Sequence, residues 1–305
     1  MDWTTVAVRF ALYVDLAALF GLPLFGLYAL RRDEMASRLG TSFVAICTAL
    51  AAIGVVFSLA NIAIMAKGMT GASAYSELQS HVFEMIVTGT DFGAAWAMRL
   101  IALLLCVAIA LFGRRWPTLQ FAVLTAAGGV ALSTLAWGGH GAMDDGVRRY
   151  VHLASDIAHL IAAGAWVGAL LAFVLLSHTS SAPQNVVLLS RTSNGFARIG
   201  TLVVVTLAIT GAVNYGLIVG PVLPELSLTS YGGLLVMKLA LFGAMLALAA
   251  ANRIHLSPRL ERAMQGGDQA GAVRALRRSL MFETSAATLI LALVASLGIL
   301  SPAGA

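Results

Sequence analysis

The chain has 305 residues, of which 59% are hydrophobic and only 11% are charged. A soluble domain carries roughly 25% charged residues, so this composition leaves too little polar surface for a water-soluble fold. The net charge of +5 does not indicate a nucleic-acid partner, because most of the basic residues lie in short segments between apolar runs. That distribution is typical of a protein that crosses a membrane several times.

Eight apolar runs are long enough to cross a bilayer, since a spanning helix needs about 20 mostly apolar residues. They lie at residues 4–30, 42–66, 91–112, 118–139, 149–177, 196–219, 231–254 and 279–301. The first run does not resemble a cleaved signal peptide, because it follows Asp2 rather than a basic patch and contains Asp15 and Pro23. The sequence therefore predicts an all-α polytopic membrane protein with eight transmembrane helices.

The basic residues between the runs predict the orientation of the chain. The segments on one side hold Arg31, Arg32, Arg38, Arg114, Arg115, Arg191, Arg198, Arg253, Arg259, Arg262, Arg274, Arg277 and Arg278. The segments on the other side hold only Lys67, Arg148 and Arg149. Because basic segments stay in the cytoplasm, the first set is expected there, and both termini are expected on the periplasmic side.

Two pairs of helices share polar positions, which predicts a repeat of four helices plus four. The third and seventh runs both begin with a short Thr/Asp or Thr/Ser segment, and Arg99 and Lys238 follow at the same spacing. The second and sixth runs align Asn61 with Asn214. We therefore expect an N-terminal half at residues 1–140 and a C-terminal half at 141–305. Both would run in the same direction, as a parallel repeat about an axis normal to the membrane.

The fifth run carries the strongest candidate site. His152, Asp156 and His159 fall within about 60° of arc on one helix face. His140 ends the fourth run, and the connection between the two runs is short, so His140 is expected near His152. Imidazole with carboxylate suits copper(II) or zinc, and the nearby thioethers of Met65, Met69, Met85 and Met143 suit copper(I). Ionisable groups inside a bilayer are functional candidates.

Other buried charges have a structural interpretation. Asp15, Arg99, Asp156 and Lys238 lie at similar depths in alternate runs. Because charges inside a membrane are usually paired, we expect Asp15 with Arg99 and Asp156 with Lys238 as direct or water-bridged ion pairs.

A possible exit point lies at the opposite, cytoplasmic side. Glu283 is about one turn into the last run, and His255 lies at the inner end of the seventh. Both residues could equally sit at the membrane interface without binding an ion.

Several short patterns resemble the CopD family of bacterial copper resistance and copper homeostasis membrane proteins. They are the segment from His152 to His159 followed by Ala165-Trp166-Val167-Gly168, the segment 211–214, the segment 236–239, Asn252-Arg253 and Glu283. The patterns cover mainly residues 149–301, whereas the first half resembles the family in its number of helices and in His140.

The resemblance implies a copper-handling protein of the bacterial inner membrane, often accompanied by a periplasmic copper carrier of the CopC type. The leading interpretation is a permease that moves copper inward. The sequence holds neither a Walker motif nor an Asp-Lys-Thr-Gly motif, so ATP hydrolysis is not the expected energy source. A membrane oxidoreductase with haem b held by His140 or His152 and a histidine across the bundle is the alternative. No catalytic residues are predicted for the permease.

Overall fold

A computed structural model describes residues 2–179, 183–220, 227 and 230–300. The described chain is helical without strands, and eight of its helices are long and apolar enough to cross a membrane, which confirms the predicted fold class. We number these α1 to α8: Trp3–Ala29, Arg38–Thr70, Asp91–Phe112, Pro117–Ser133, Gly146–Thr179, Pro183–Ile218, Tyr231–Ala251 and Gln269–Leu297. Short helices at Arg32–Ala36, Ser80–Gly89 and Ser257–Met264 join them.

Two helices extend well beyond the apolar runs that predicted them. Helix α6 begins at Pro183 and α8 at Gln269, about three turns before the apolar residues begin. The added turns mix polar and apolar residues, and α8 starts where the Asp268 side chain accepts a hydrogen bond from the Gly271 amide. An N-cap of this kind stabilises a helix start in water. Hydropathy therefore located the membrane-spanning part of each helix and missed its less apolar extension.

The helices alternate in direction, so their ends meet in two layers. We name the outer face the one at which α1 begins, following the predicted orientation. There the Arg9 guanidinium donates to the Gly138 carbonyl at 3.0 Å, which joins the start of α1 to the end of α4. At the opposite, inner face Arg191 of α6 and Glu34 form an ion pair of 2.6 Å.

Helices α1 and α5 cross at the centre of the molecule. A Cβ atom built on Gly168 would lie 1.9 Å from the carbonyl carbon of Gly21. The two backbones are therefore in direct contact, as small residues allow in membrane helices. Helix α1 packs against α2 and α4, and α5 packs against α6 and α8. Each half of the chain is thus built around one of the two central helices.

The two halves differ in one helix pair. Helices α2 and α3 pack against each other, whereas α6 and α7 make no extended contact within the described residues. The space between α6 and α7 is occupied instead by cavities that also touch α5 and α8. The predicted superposition of the two halves remains a prediction, and this difference would be its largest departure from symmetry.

Candidate functional site

The outer end of α5 places two of the predicted residues side by side. His152 is 1% exposed, and its Nε2 atom lies 3.9 Å from Oδ2 of Asp156, one helical turn further on. The segment after α4 covers both side chains. A Cβ atom on Gly141 would lie 2.9 Å from Cγ of His152 and 3.1 Å from Oδ2 of Asp156. Glycine at this position therefore allows the segment to seal the site.

An aspartate in the loop before α5 fixes the orientation of His152. Nδ1 of His152 lies 2.6 Å from Oδ2 of Asp144, and Arg148 holds the other carboxylate oxygen of Asp144 at 3.2 Å. Because an ionised carboxylate can only accept, Nδ1 carries the proton. In the neutral ring the lone pair is then on Nε2, which is buried and has no hydrogen-bond partner in the described structure.

Asp156 is held by an amide from the neighbouring helix. Nδ2 of Asn214 on α6 donates to Oδ1 of Asp156 at 2.7 Å. Oδ1 of Asn214 is buried and accepts no hydrogen bond from a described residue. Nε2 of His152, Oδ1 of Asn214 and Oδ2 of Asp156 are all acceptors, and no described donor serves the first two. Buried acceptors without donors are rare, and a cation is one ligand that satisfies them.

His159 is fixed in the same manner, deeper in the membrane. Its Nδ1 atom lies 2.8 Å from the Thr210 hydroxyl, and that hydroxyl donates its only proton to the Thr206 carbonyl at 2.6 Å. Thr210 must therefore accept from His159, which leaves the lone pair on Nε2. His152 and His159 are seven residues apart, about 10 Å along the helix axis. At this separation the two histidines cannot both be ligands of one ion, so they occupy successive levels along α5.

The predicted position of His140 is supported only at the level of the backbone. His140 begins a short 3₁₀ turn that ends at Met143, but both side chains lie outside the described atoms. The neighbouring Gly139 and Gly141 lie against Asp156. Among the side chains that are described, no three from His, Cys, Asp and Glu form a group able to hold a metal ion. The predicted ligand role of His140 therefore stays a prediction.

The predicted direct ion pairs are not formed within the described chain. Asp15 is 3% exposed and neither of its oxygens accepts a hydrogen bond, while Arg99 donates to the Thr134 hydroxyl at 2.8 Å. Asp156 is held by Asn214 rather than by Lys238, which makes no contact shorter than 4 Å with a described carboxylate. The prediction overlooked neutral partners, whose burial costs less than that of a second charge.

Three cavities follow one another through the C-terminal half. The outer cavity, of about 160 Å³, is lined by Asp156, His159 and Lys238 among others. His159 and Lys238 also line the middle cavity, which measures about 570 Å³ and is largely apolar. Trp166 separates it from an inner cavity of about 570 Å³ and lines both. His159 and Trp166 therefore mark the two junctions of the series.

The inner cavity ends at a buried carboxylate. Glu283 is 3% exposed and accepts a hydrogen bond from Nδ2 of Asn252, which begins a turn of π-helix at the end of α7. Such turns are frequent at functional sites. His255, the other residue of the predicted exit point, is exposed and does not line the cavity. Asn252, and not His255, contacts Glu283 in the described structure, and the exit point itself stays a prediction.

Three residues of the site were missed in the sequence. Asp144 and Thr210 orient the two histidines, and Arg9 of α1 lines the outer cavity. Arg9 was the one detectable signal, because it is an arginine a few residues inside the first apolar run. Asp144 and Thr210 have no local signal, since only the fold brings them to the histidines.

The chain is similar to known proteins along its full length. Residues 1–150 match the family model described as Copper resistance protein D-like, N-terminal domain, and residues 190–297 match the model for Copper resistance protein D. Copper resistance protein D of Pseudomonas syringae pv. tomato is 47% identical over 303 residues, covering 99% of this chain and 97% of that protein. Inner membrane protein YebZ of Escherichia coli (strain K12) is 27% identical over 266 residues, covering 86% and 87%. No solved structure matches the chain.

Proposed function

The chain belongs to the copper resistance protein D family, and from this membership we propose that it is a non-enzymatic permease moving copper across the inner membrane. A role in copper resistance follows from the family itself. The finer proposal is inward movement, from the periplasm to the cytoplasm, through the C-terminal half. One observation carries it: Asp156, and Asn214 with its unpartnered Oδ1 atom, line the outermost of three cavities in series, and the unpartnered Nε2 of His152 lies 3.9 Å from Asp156.

The chemistry of these acceptors suits copper. A histidine that donates Nδ1–H to a carboxylate or hydroxyl presents a fixed and more basic Nε2, which is the usual arrangement of metal-binding imidazoles. His152 and His159 both have this arrangement. In the proposal, His152 and Asp156 receive the ion, with His140 completing the first position, and His159 accepts it about 10 Å deeper.

The route beyond His159 runs between α6 and α7. Below Lys238 at its outer end, the middle cavity offers Met245 and the aromatic rings of Trp166 and Phe242 rather than further charged side chains. Moving a soft monovalent ion past such a lining costs less free energy than moving a divalent ion. Copper(I) is therefore the species we propose for this stage. Glu283, held by Asn252, is the proposed exit carboxylate.

The proposed energy source is the membrane potential. Inward movement of one positive charge gains about 2.3 kcal/mol per 100 mV. A periplasmic carrier of the CopC type is the proposed donor of copper at the outer face.

Copper uptake by the purified full-length chain in liposomes tests the proposal. Copper(I) kept reduced outside the vesicles, with an inside-negative potential, is expected to accumulate inside, and empty liposomes give the background. Metal analysis and an optical spectrum of the same sample separate copper from the alternative haem. An intense Soret band with haem in equal amount to protein, together with background copper uptake, would replace the permease by the oxidoreductase.

Gly211→Leu is expected to reduce this uptake by about tenfold or more, because a side chain there enters the junction of the outer and middle cavities. The only described atom near a Cβ on Gly211 is Cε1 of His159, at 3.8 Å, so the backbone need not move. Gly216→Leu on the same helix is the matched control, since nothing lies within 4 Å of its Cβ position. Equal uptake by both variants would contradict the route.

Gly141→Ala is expected to lower copper accumulation in cells by about tenfold, because the methyl group would displace the His152 ring from its position 2.9 Å away. Gly139→Ala is the control. Its Cβ would lie 3.3 Å from the Ala136 carbonyl oxygen and 3.6 Å from Oδ2 of Asp156, so it leaves the His152 ring in place, and its backbone is extended. If Gly141→Ala accumulates copper like the unmodified chain, the position of His152 is not important for uptake.

A further inference from the structure

The side chains that line the outer cavity carry more positive than negative charge. Arg9 on α1 and Lys238 on α7 both line it, although they come from opposite halves of the chain. Asp156 is the only carboxylate among its lining residues. His159 is neutral in the tautomer fixed by Thr210. With Asp156 ionised, the cavity therefore has an excess of one positive charge.

Neither cation is in contact with a carboxylate of the described chain. Arg9 donates to the Gly138 carbonyl at 3.0 Å and to the Tyr13 hydroxyl at 3.4 Å, and its buried Nε has no partner there. Lys238 makes no hydrogen bond to a described residue, and the attraction of Asp156 reaches it only across the cavity. Charges inside a membrane are normally compensated by a partner, and the described residues supply one negative charge fewer than the two cations require.

We propose that the outer cavity binds a small monovalent anion, a carboxylate or a halide, between Arg9 and Lys238. Guanidinium and ammonium groups are donors without acceptor capacity, so an anion is the ligand that satisfies them. The cavity volume of about 160 Å³ is far above the space that one water requires. The hydroxyl-bearing Tyr13, Tyr215 and Tyr231 complete the polar part of the lining.

The anion position uses other side chains than the acceptor group that we assign to copper, although Asp156 and Asn214 of that group line the same cavity. Nε2 of His152, Oδ1 of Asn214 and Oδ2 of Asp156 attract a cation, whereas Arg9 and Lys238 repel one. An anion on the two basic residues removes this repulsion and allows a copper ion to enter beside it. This last consequence rests on the proposed copper function, but anion binding itself does not.

Binding of radiolabelled chloride and of radiolabelled acetate to the purified full-length chain tests the proposal, in copper-free buffer at constant ionic strength. We expect saturable binding near one anion per chain for at least one of the two probes. Saturation by acetate alone assigns a carboxylate site, and saturation by chloride assigns a halide site. Lys238→Met is expected to weaken binding by about tenfold or more.

The variants Arg9→Lys and Arg9→Gln distinguish an effect of the charge at position 9 on anion binding from an effect on folding. Arg9→Lys should retain measurable binding, and Arg9→Gln should lose it, because only the first variant keeps the charge. Lys67→Gln is the matched control, since Lys67 lies over the Tyr75 ring at the same face, outside the cavity. The proposal is overturned if neither anion binds saturably, or if Lys238→Met binds like the unmodified chain. Because copper is absent, neither result depends on whether the chain transports it.

Discussion

Replacing His152 and His159 together by alanine is expected to reduce copper accumulation in cells to the level of cells lacking the protein, while the chain inserts normally. The two imidazoles hold the free Nε2 atoms at successive positions of the proposed route. Without them, copper meets His140 and oxygen ligands at the entrance and a largely apolar cavity beyond it. Soft copper(I) binds oxygen poorly, so the barrier to entry rises.

The two single variants distinguish the binding of copper at the entrance from its passage further along the proposed route. His152→Ala should raise the copper concentration needed for half-maximal uptake, because the outer position is lost while His159 remains. His159→Ala should lower the maximal rate instead, because the ion binds at the entrance and cannot proceed. His178→Ala is the control, since His178 is exposed at the inner end of α5 and contacts only the Val174 carbonyl in the described structure. Normal accumulation by the double variant would refute the role of both histidines.

Periodicity and hydropathy were sufficient for the membrane-spanning part of each helix and for the face of α5 that carries the site. His152 and Asp156 are one turn apart, so the sequence alone predicts that they are neighbours. The carboxylate and hydroxyl partners of the two histidines, which come from other parts of the chain, could not be predicted in this way. Asp144 reaches His152 because the loop before α5 folds back, and Thr210 reaches His159 across a helix interface. Such contacts depend on helix rotation and packing, which one sequence does not specify.

The two predicted ion pairs, which are not in direct contact in the described structure, show the same limit for electrostatics. The predicted repeat places Asp156 and Lys238 at similar depth in the membrane, and the prediction that they pair was based on that depth alone. In the fold Asn214 occupies the position next to Asp156, and Lys238 is displaced because α7 stands away from α6. The separation of these two helices, which creates the middle cavity, has no signature in hydropathy. The asymmetry on which the proposed route depends was therefore not predictable from the sequence.

The central crossing of α1 and α5 gives the largest expected effect on stability. A Cβ on Gly168 would lie 1.9 Å from the carbonyl carbon of Gly21, and a Cβ on Gly21 would lie 2.0 Å from the carbonyl oxygen of Gly164. These atoms belong to the backbone, so no side chain can rotate away. Gly168→Ala must therefore push the two helices apart and open the core that both halves share.

We expect Gly168→Ala to lower the free energy of unfolding by about 3 kcal/mol, the upper part of the usual range for overpacking. The measurement is the thermal unfolding midpoint of the purified chain in detergent. Gly243→Ala on α7 is the matched control, because nothing lies within 4 Å of its Cβ position and alanine favours a helix over glycine. Its midpoint should stay the same or rise. Equal midpoints for Gly168→Ala and the unmodified chain would mean that α1 and α5 are not in backbone contact, and the arrangement of the two halves around this crossing would have to be revised.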